Sequence, residues 1–312
     1  MKILLAGQGA FGIKHLEGLA NIPDVQVVSL VGGSPDTTKA VAEKWNIPHW
    51  TTDLAEGLKQ DVDACILTTP TGMHCKQGLQ CIEAGKHVEI EIPMADSLAD
   101  SEKLVAARKA AGVVGMVGHT RRFNPSHQWI HNKIAAGELN IQQMDVQTYF
   151  FRRSNINAAG QPRSWTDHLL WHHAAHTVDL FQYQTGEQCS VARGVEGPHH
   201  INLQIAMDMS IQMKVPSGPI CTLSLSFNND GPLGTTFRYI CDNGTYIARY
   251  DDLYDGHDNK IDLSGVAVSN NGIELQDREF IAAIREGREP NSSFDQILPA
   301  MRTLDQIEKS FS

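Results

Sequence analysis

Lys2-Ile3-Leu4-Leu5-Ala6-Gly7-Gln8-Gly9-Ala10-Phe11-Gly12 opens the chain: a short apolar strand runs into a glycine turn and then into a helix-like stretch through Ala20. The three glycines of this Gly-x-Gly-x-x-Gly spacing have separate tasks. The first permits a tight turn, the second lets the backbone approach a pyrophosphate, and the third lets helix pack on strand, with the phosphates at the helix N-terminus. Glycine turns are common, so the motif carries weight only with a strand before it and a helix after it. Both are present, and the turn predicts a dinucleotide site at Gly7, Gly9, Ala10, Phe11 and Gly12.

Outward from that turn, short β-branched and apolar runs at 25–31, 64–68, 87–90 and 113–117 alternate with helix-like stretches near 36–45, 73–84 and 97–111. Such alternation is the signature of a doubly wound parallel sheet whose strands are buried on both faces. After residue 119 the pattern changes to a helix near 126–136, a strand at 144–152, a helix near 167–184 and strand candidates from 189 to 249. The expected fold class is therefore α/β, with an N-terminal Rossmann domain over 1–119 and a C-terminal α+β domain over 120–312. That second domain is built on a large, mainly antiparallel sheet, and helices from 272 onward are placed to pack back on the first domain.

A chain of 312 residues suits two domains, and 41% hydrophobic content is ample for burial. No apolar run is long enough to span a bilayer, and His15 and Glu17 follow the first apolar stretch too closely for a signal peptide. Six cysteines lie scattered without a Cys-x-x-Cys pair, which reads as reduced thiols and a cytoplasmic setting. The net charge of −10 opposes nucleic-acid binding. The partners expected are a small-molecule substrate and further copies of the chain, with no nucleic acid and no membrane.

Cofactor choice is usually read about twenty residues past the glycines, where an acid would bond the ribose 2′-hydroxyl. Here the strand ends in Val31-Gly32-Gly33-Ser34, and the next acid is Asp36, beyond Pro35. Ser34 and Thr37, with Thr38 and Lys39 nearby, favour a 2′-phosphate, hence NADP over NAD, although no arginine is there to clamp it. Further loops follow the carboxyl ends of strands at Thr69-Pro70-Thr71-Gly72-Met73-His74 and Glu91-Ile92-Pro93, where this architecture binds ligands. Thr69, Pro70, His74, Glu91 and Pro93 therefore join the candidate cofactor residues.

These loops, the glycine turn and the segment Gly118-His119-Thr120-Arg121-Arg122-Phe123-Asn124-Pro125 resemble the glucose-fructose oxidoreductase, inositol dehydrogenase and biliverdin reductase superfamily, and the resemblance covers nearly the whole chain. It is most specific along 143–153, 163–173 and 226–231, where it implies NADP-dependent oxidation of a dicarboxylic semialdehyde as its cyclic hemiacetal. The superfamily usually carries Glu-Lys-Pro, whereas this chain has Glu91-Ile92-Pro93; isoleucine does no acid-base chemistry, so Ile92 receives no catalytic role. In the superfamily's second signature, Asp-x-x-x-His followed by x-x-Asp, His176 and Asp179 match, but His172 stands where the first Asp is expected.

On a regular helix His172 and His176 share a face, Asp179 follows three residues on, and His173 points about a quarter-turn away. Histidine releases its proton near neutral pH, as the base of a hydroxyl oxidation must. His176 is the expected general base, oriented by Asp179 or His172, with His173 close to substrate. No metal is expected, because no Glu between the histidines completes a His-Glu-x-x-His set and no cysteine is nearby. Arg121, Arg122, Arg152, Arg153 and Arg163 offer guanidinium forks for substrate carboxylates, although some can pair instead with Asp145 or Asp167. Tyr149 and Asn228 add neutral hydrogen bonds. Two other readings of the same residues are a sugar or inositol dehydrogenase and an NADP-binding sensor without turnover. The outer sheet face, with Gln147, Tyr149 and Phe151 alternating, is expected to be apolar enough to form a homodimer or higher homo-oligomer.

Overall fold

The computed structural model describes residues 1–156, 160, 162, 166–267 and 272–311. The chain divides into two compact units: Met1–His119 with Gly272–Leu298, and Thr120–Asn271 with Pro299–Ser312.

In the first unit, β1 (Lys2–Ala6), β2 (Gln26–Val31), β3 (His49–Thr51), β4 (Ala64–Leu67), β5 (His87–Ile90) and β6 (Gly115–Val117) form one sheet in the order β3-β2-β1-β4-β5-β6. All neighbours are parallel. The strand order reverses between β1 and β4, which places the ligand crevice of a doubly wound sheet at the carboxyl ends of these strands. Ile3, Leu4, Leu5 and Ala6 and all of β4 are fully buried, which is why they read as unbroken apolar runs. The strands are joined through α1 (Ala10–Leu19), α2 (Pro35–Lys44), α3 (Leu54–Leu58), α4 (His74–Glu83) and α5 (Leu98–Ala111). β3 and α3 have no counterpart in the sequence reading, because three and five residues are too few to display a period.

The second unit holds α6 (Pro125–Ala135), β7 (Ile141–Tyr149), a π-helical turn at Leu169–Ala174, α7 (Ala175–Thr185), and β8 (Val191–Glu196), β9 (Asp208–Lys214), β10 (Ile220–Ser226), β11 (Gly234–Cys241), β12 (Gly244–Arg249) and β13 (Asp252–Asp255). Its seven strands run β13-β12-β11-β7-β10-β9-β8, antiparallel throughout except for β7 beside β10. Met144, Val146 and Thr148 of β7 and Cys221, Leu223 and Leu225 of β10 are buried. The π-turn packs on β9 and β10, and α7 on β7. Strand period 2 sends the alternate residues to the other face. There Gln147 and Tyr149 stand among Asp145, Ser210, Thr222, Ser224 and Ser226, all half-buried or exposed. The middle of the outer face is therefore polar, while Val191 and Val195 of β8, Ile220 at the start of β10 and Phe151 just past β7 stand exposed. Of the last two helices, α8 (Ile273–Glu286) packs on α1, and α9 (Phe294–Glu308) sets Phe294 where any Cβ at Gly115 would fall.

Candidate functional site

The glycine turn is shaped by close approach. Gly7 has φ +110°, and a Cβ there would lie 2.3 Å from Thr68 Oγ1, while one at Gly12 would lie 1.9 Å from the Gly7 carbonyl oxygen. A Cβ at Gly9 would meet nothing within 4 Å among the described residues, so this glycine faces open space. α1 begins immediately beyond it with no side-chain cap and no acid in its first turn. An uncapped helix N-terminus behind a bare glycine suits a pyrophosphate, so these residues fit the dinucleotide the motif calls for. Phe11 stands half-exposed beside them.

At the end of β2, Gln8 joins the two halves of the expected ribose site. Its Oε1 accepts from the Gly33 N–H at 3.0 Å, its Nε2 donates to Thr37 Oγ1 at 3.0 Å, and Ser34 Oγ lies 2.6 Å from the same Thr37 oxygen. This cluster is made of amide and hydroxyl groups, and Asp36 follows in the first turn of α2.

The loops after β4 and β5 are held from behind. Thr69 Oγ1 donates to Gln77 Oε1 at 2.5 Å. His74 sets Nε2 2.8 Å from the Thr69 carbonyl and Nδ1 2.8 Å from the Pro93 carbonyl. It is 1% exposed, so it braces the two loops against each other, which corrects the expectation that it touches a ligand. Burial lowers its pKa against the pull of those carbonyls. Glu91 is likewise turned inward: Oε1 lies 3.2 Å from His15 Nε2 and 3.0 Å from Gln276 Nε2, and Oε2 accepts from the Ile92 N–H at 3.3 Å. Pro70 and Pro93 shape the same loops.

In the second unit the histidines do not follow a regular helix. The π-helical stretch at Leu169–Ala174 bonds i to i+5, so a face drawn at 3.6 residues per turn does not carry from His172 across to His176. That corrects the shared-face argument; single π-turns recur at functional sites. His173 packs its ring against Phe150 and Phe227, with centroids 5.4 and 5.1 Å away, and sets Nε2 3.8 Å from Asp167 Oδ2. His172 lies beside it, with ring centroids 5.1 Å apart. Burial would raise Asp167, but the facing His173 imidazole and the nearby charges of His172 and Arg152 outweigh it and hold the carboxyl well below the usual range. Donor atoms of Asp167, His172 and His173 fall within 4.8 Å of one another, a spacing that could hold a metal ion. Arg152 already occupies the carboxylate, with Nη2 2.5 Å from Asp167 Oδ2, which makes this an ion-paired set. His176 is half-buried, one turn before Asp179.

The arginines separate. Arg122 grips Asp179 through Nε to Oδ2 at 2.9 Å and Nη2 to Oδ1 at 2.6 Å, with side chains 4% and 2% exposed. Its fork, expected on a substrate carboxylate, is spent on α7. Arg153 donates to the Arg152 carbonyl and to Asn228 Oδ1 and stacks on Phe151, tying the strand end in place. Arg121 Nη1 lies 3.4 Å from Asn124 Oδ1 and its guanidinium packs on Tyr250 and Phe237. Burial lowers the Arg121 pKa, and Arg121 Nε and Arg152 Nη1 have no hydrogen-bond partner among the described residues. Tyr149 donates to Ser224 Oγ on the outer sheet face, the side away from the histidines, and with Asn228, whose Nδ2 donates to Asp208, it lines a recess of about 380 Å³ there. Tyr149, expected to add a neutral hydrogen bond to substrate from the sheet, thus stands on the face away from the histidines. Arg163 lies outside the described residues.

Three contributors escaped the sequence reading, Gln8, His15 and Asp277, whereas Asp167 is the arginine partner the sequence offered and pairs with Arg152. Gln8 lies inside the glycine motif and His15 three residues past it, so both carry a positional signal; Asp277 has none, since only folding brings it beside residue 15.

Comparison with known proteins follows the same division. Residues 1–119 match the family model described as oxidoreductase family, NAD-binding Rossmann fold, and residues 125–267 match bacterial oxidoreductases, C-terminal. The chain is 65% identical over 309 residues to 4-carboxy-2-hydroxymuconate-6-semialdehyde dehydrogenase of Sphingobium sp. SYK-6, covering 99% of this chain and 98% of that one. Among solved structures, levoglucosan dehydrogenase in complex with NADH and levoglucosan superposes with a TM-score of 0.88 at 18% identity, covering 99% of this chain and 96% of that one. Aldose-aldose oxidoreductase from Caulobacter crescentus does so at 0.86 and 20%, covering 99% and 97%. At those identities the two structures speak to the fold alone.

Proposed function

The chain belongs to the glucose-fructose oxidoreductase and inositol dehydrogenase family, and we propose that it oxidises the cyclic hemiacetal of 4-carboxy-2-hydroxymuconate-6-semialdehyde to 2-pyrone-4,6-dicarboxylate, with NADP as acceptor, in protocatechuate 4,5-cleavage degradation. The observation that carries the substrate is 65% identity maintained over 99% of the chain. The first unit supplies a nicotinamide site, and the enzyme is a dehydrogenase acting on a CH–OH group.

In this reading Gly7, Gly9 and the N-terminus of α1 receive the pyrophosphate. Gln8, Ser34 and Thr37 meet the adenosine ribose, where hydroxyl and amide donors without a facing carboxylate favour a 2′-phosphate. The nicotinamide, when bound, supplies the hydride acceptor. His176 takes the hemiacetal hydroxyl proton, which leaves electron density on that oxygen as the carbon becomes a lactone carbonyl. With Ile92 in place of the superfamily lysine, the proton falls to the histidine helix. Arg121 and Arg152, both half-buried, and Arg163 are assigned to the two carboxylates. Asp167 holds Arg152 and His173 in place. The reading includes self-association through the outer face of the seven-stranded sheet.

The test is absorbance at the reduced-nicotinamide band after mixing the protein with freshly generated ring-cleavage product of protocatechuate and either NADP or NAD. Reduction with pyrone dicarboxylate as product, faster with NADP, is expected. His176→Asn should lower kcat/KM by about 10²–10⁴-fold with cofactor binding retained. Absence of reduction with either cofactor would overturn the substrate assignment.

A further inference from the structure

A cluster of buried ionisable groups lies behind the Glu91-Ile92-Pro93 turn and takes no part in the chemistry above. His15, on the second turn of α1, is 0% exposed and sets Nδ1 2.7 Å from Asp277 Oδ1 of α8 and Nε2 3.2 Å from Glu91 Oε1. Gln276 Nε2 bridges Glu89 Oε1 at 2.8 Å and Glu91 Oε1 at 3.0 Å. A Cβ at Gly118 would lie 2.5 Å from Glu91 Oε1, so the backbone leaves that carboxylate one position. The groups facing the imidazole are Asp277 from α8 and Glu91 and Glu89 from β5 and its end; all are acidic. Burial opposes charge on His15, but Asp277 and Glu91 more than reverse it and hold the imidazolium well above the usual histidine range.

We propose that His15 is a positioning residue for the cofactor: it ties the start of α1, beneath the glycine turn, to the Glu91 carboxylate, and through the Glu91 Oε2 contact with the Ile92 N–H it sets the loop that follows β5. The glycine turn and the β5 loop are both candidate cofactor loops, and one buried cation fixes their spacing. The inference rests on the dinucleotide reading of the first unit.

The test is titration of NADPH, followed by its own fluorescence, with the full chain and with His15→Gln, Glu91→Gln and the double variant. Each single variant is expected to weaken NADPH binding roughly tenfold, and the double variant no further than either alone, because both cut the same tie. Wild-type affinity should hold between pH 6 and 8, while that of His15→Gln should weaken as pH rises and its acidic neighbours ionise without a counter-charge. Asp277→Asn, which loosens His15 without removing it, should weaken binding several-fold and serves if His15→Gln does not fold. Wild-type affinity in His15→Gln alongside a lower Tm, or additive losses in the double variant, would assign the cluster to stability alone and overturn the proposal. If the wild-type chain binds neither NADPH nor NADH, the dinucleotide reading falls first.

Discussion

Glu89 is a carboxyl this fold keeps protonated. It is wholly buried, and burial together with the Asp277 charge pushes it up to about 8 from the usual 4.5. A group whose folded value lies above its unfolded one contributes stability fully present below the unfolded value and lost as pH rises through the folded one. Stability should therefore decline between pH 4.5 and about 8 on account of this residue. Glu89→Gln keeps the shape, still accepts from Gln276, and is neutral at every pH. Its Tm should match that of the wild type near pH 6 and exceed it at pH 9, measured by thermal melts at the two values. Equal melts at both would show that Glu89 is ionised in the fold. Residues of this kind mark where the sequence stops speaking: Gly7, Gly9 and Gly12 announce themselves by spacing, whereas His15, Glu89 and Asp277 acquire meaning only when strand, helix and a distant C-terminal helix converge.

At the scale of elements, α7 shows what periodicity misses. The sequence marks a histidine-bearing helix near 167–184, and one is there, but its first turn is π-helical and nothing in Leu169-Leu170-Trp171-His172-His173-Ala174 marks that as different from an α-helix. The buried Arg122–Asp179 pair was hidden for a similar reason: clustered arginines in an acidic chain look like substrate forks until the fold supplies an internal carboxylate. Arg122→Ala would leave that carboxylate buried and uncompensated, at a cost of about 3–5 kcal/mol, a large share of the roughly 5–15 kcal/mol that folded chains possess. A clear drop in the urea midpoint is expected, with much of it recovered when Asp179→Leu is added to Arg122→Met. Should Arg122→Ala keep its midpoint and lose only substrate affinity, the arginine serves the substrate after all. Five of the six strands of the first unit, by contrast, were legible, because strands buried on both faces must be apolar throughout, while three-residue β3 was not.

At the scale of the whole chain, the break after His119 was legible as a change from alternating strand and helix to runs of strands, and the grouping of α8 with the first unit was foreseeable only as packing back. Net charge of −10 set a useful limit: cations had to be local, and those that are buried are in large part answered by acids of the same chain. What composition could not give is the character of the sheet's outer face. Asp145, Gln147, Tyr149, Thr222, Ser224 and Ser226 line its middle, with Ile220, Val191 and Val195 exposed around them, so self-association centred there would be a wet, hydrogen-bonded contact with an apolar margin. Two copies meeting about a two-fold axis place the same residue near itself, so one charge added at the centre is opposed by its own image. Light scattering at micromolar concentration is expected to show a dimer or larger species for the wild type and a shift toward monomer for Ser224→Arg, with cofactor binding retained. A wild-type monomer under those conditions would remove the interface, and an unshifted Ser224→Arg oligomer would move it to another surface.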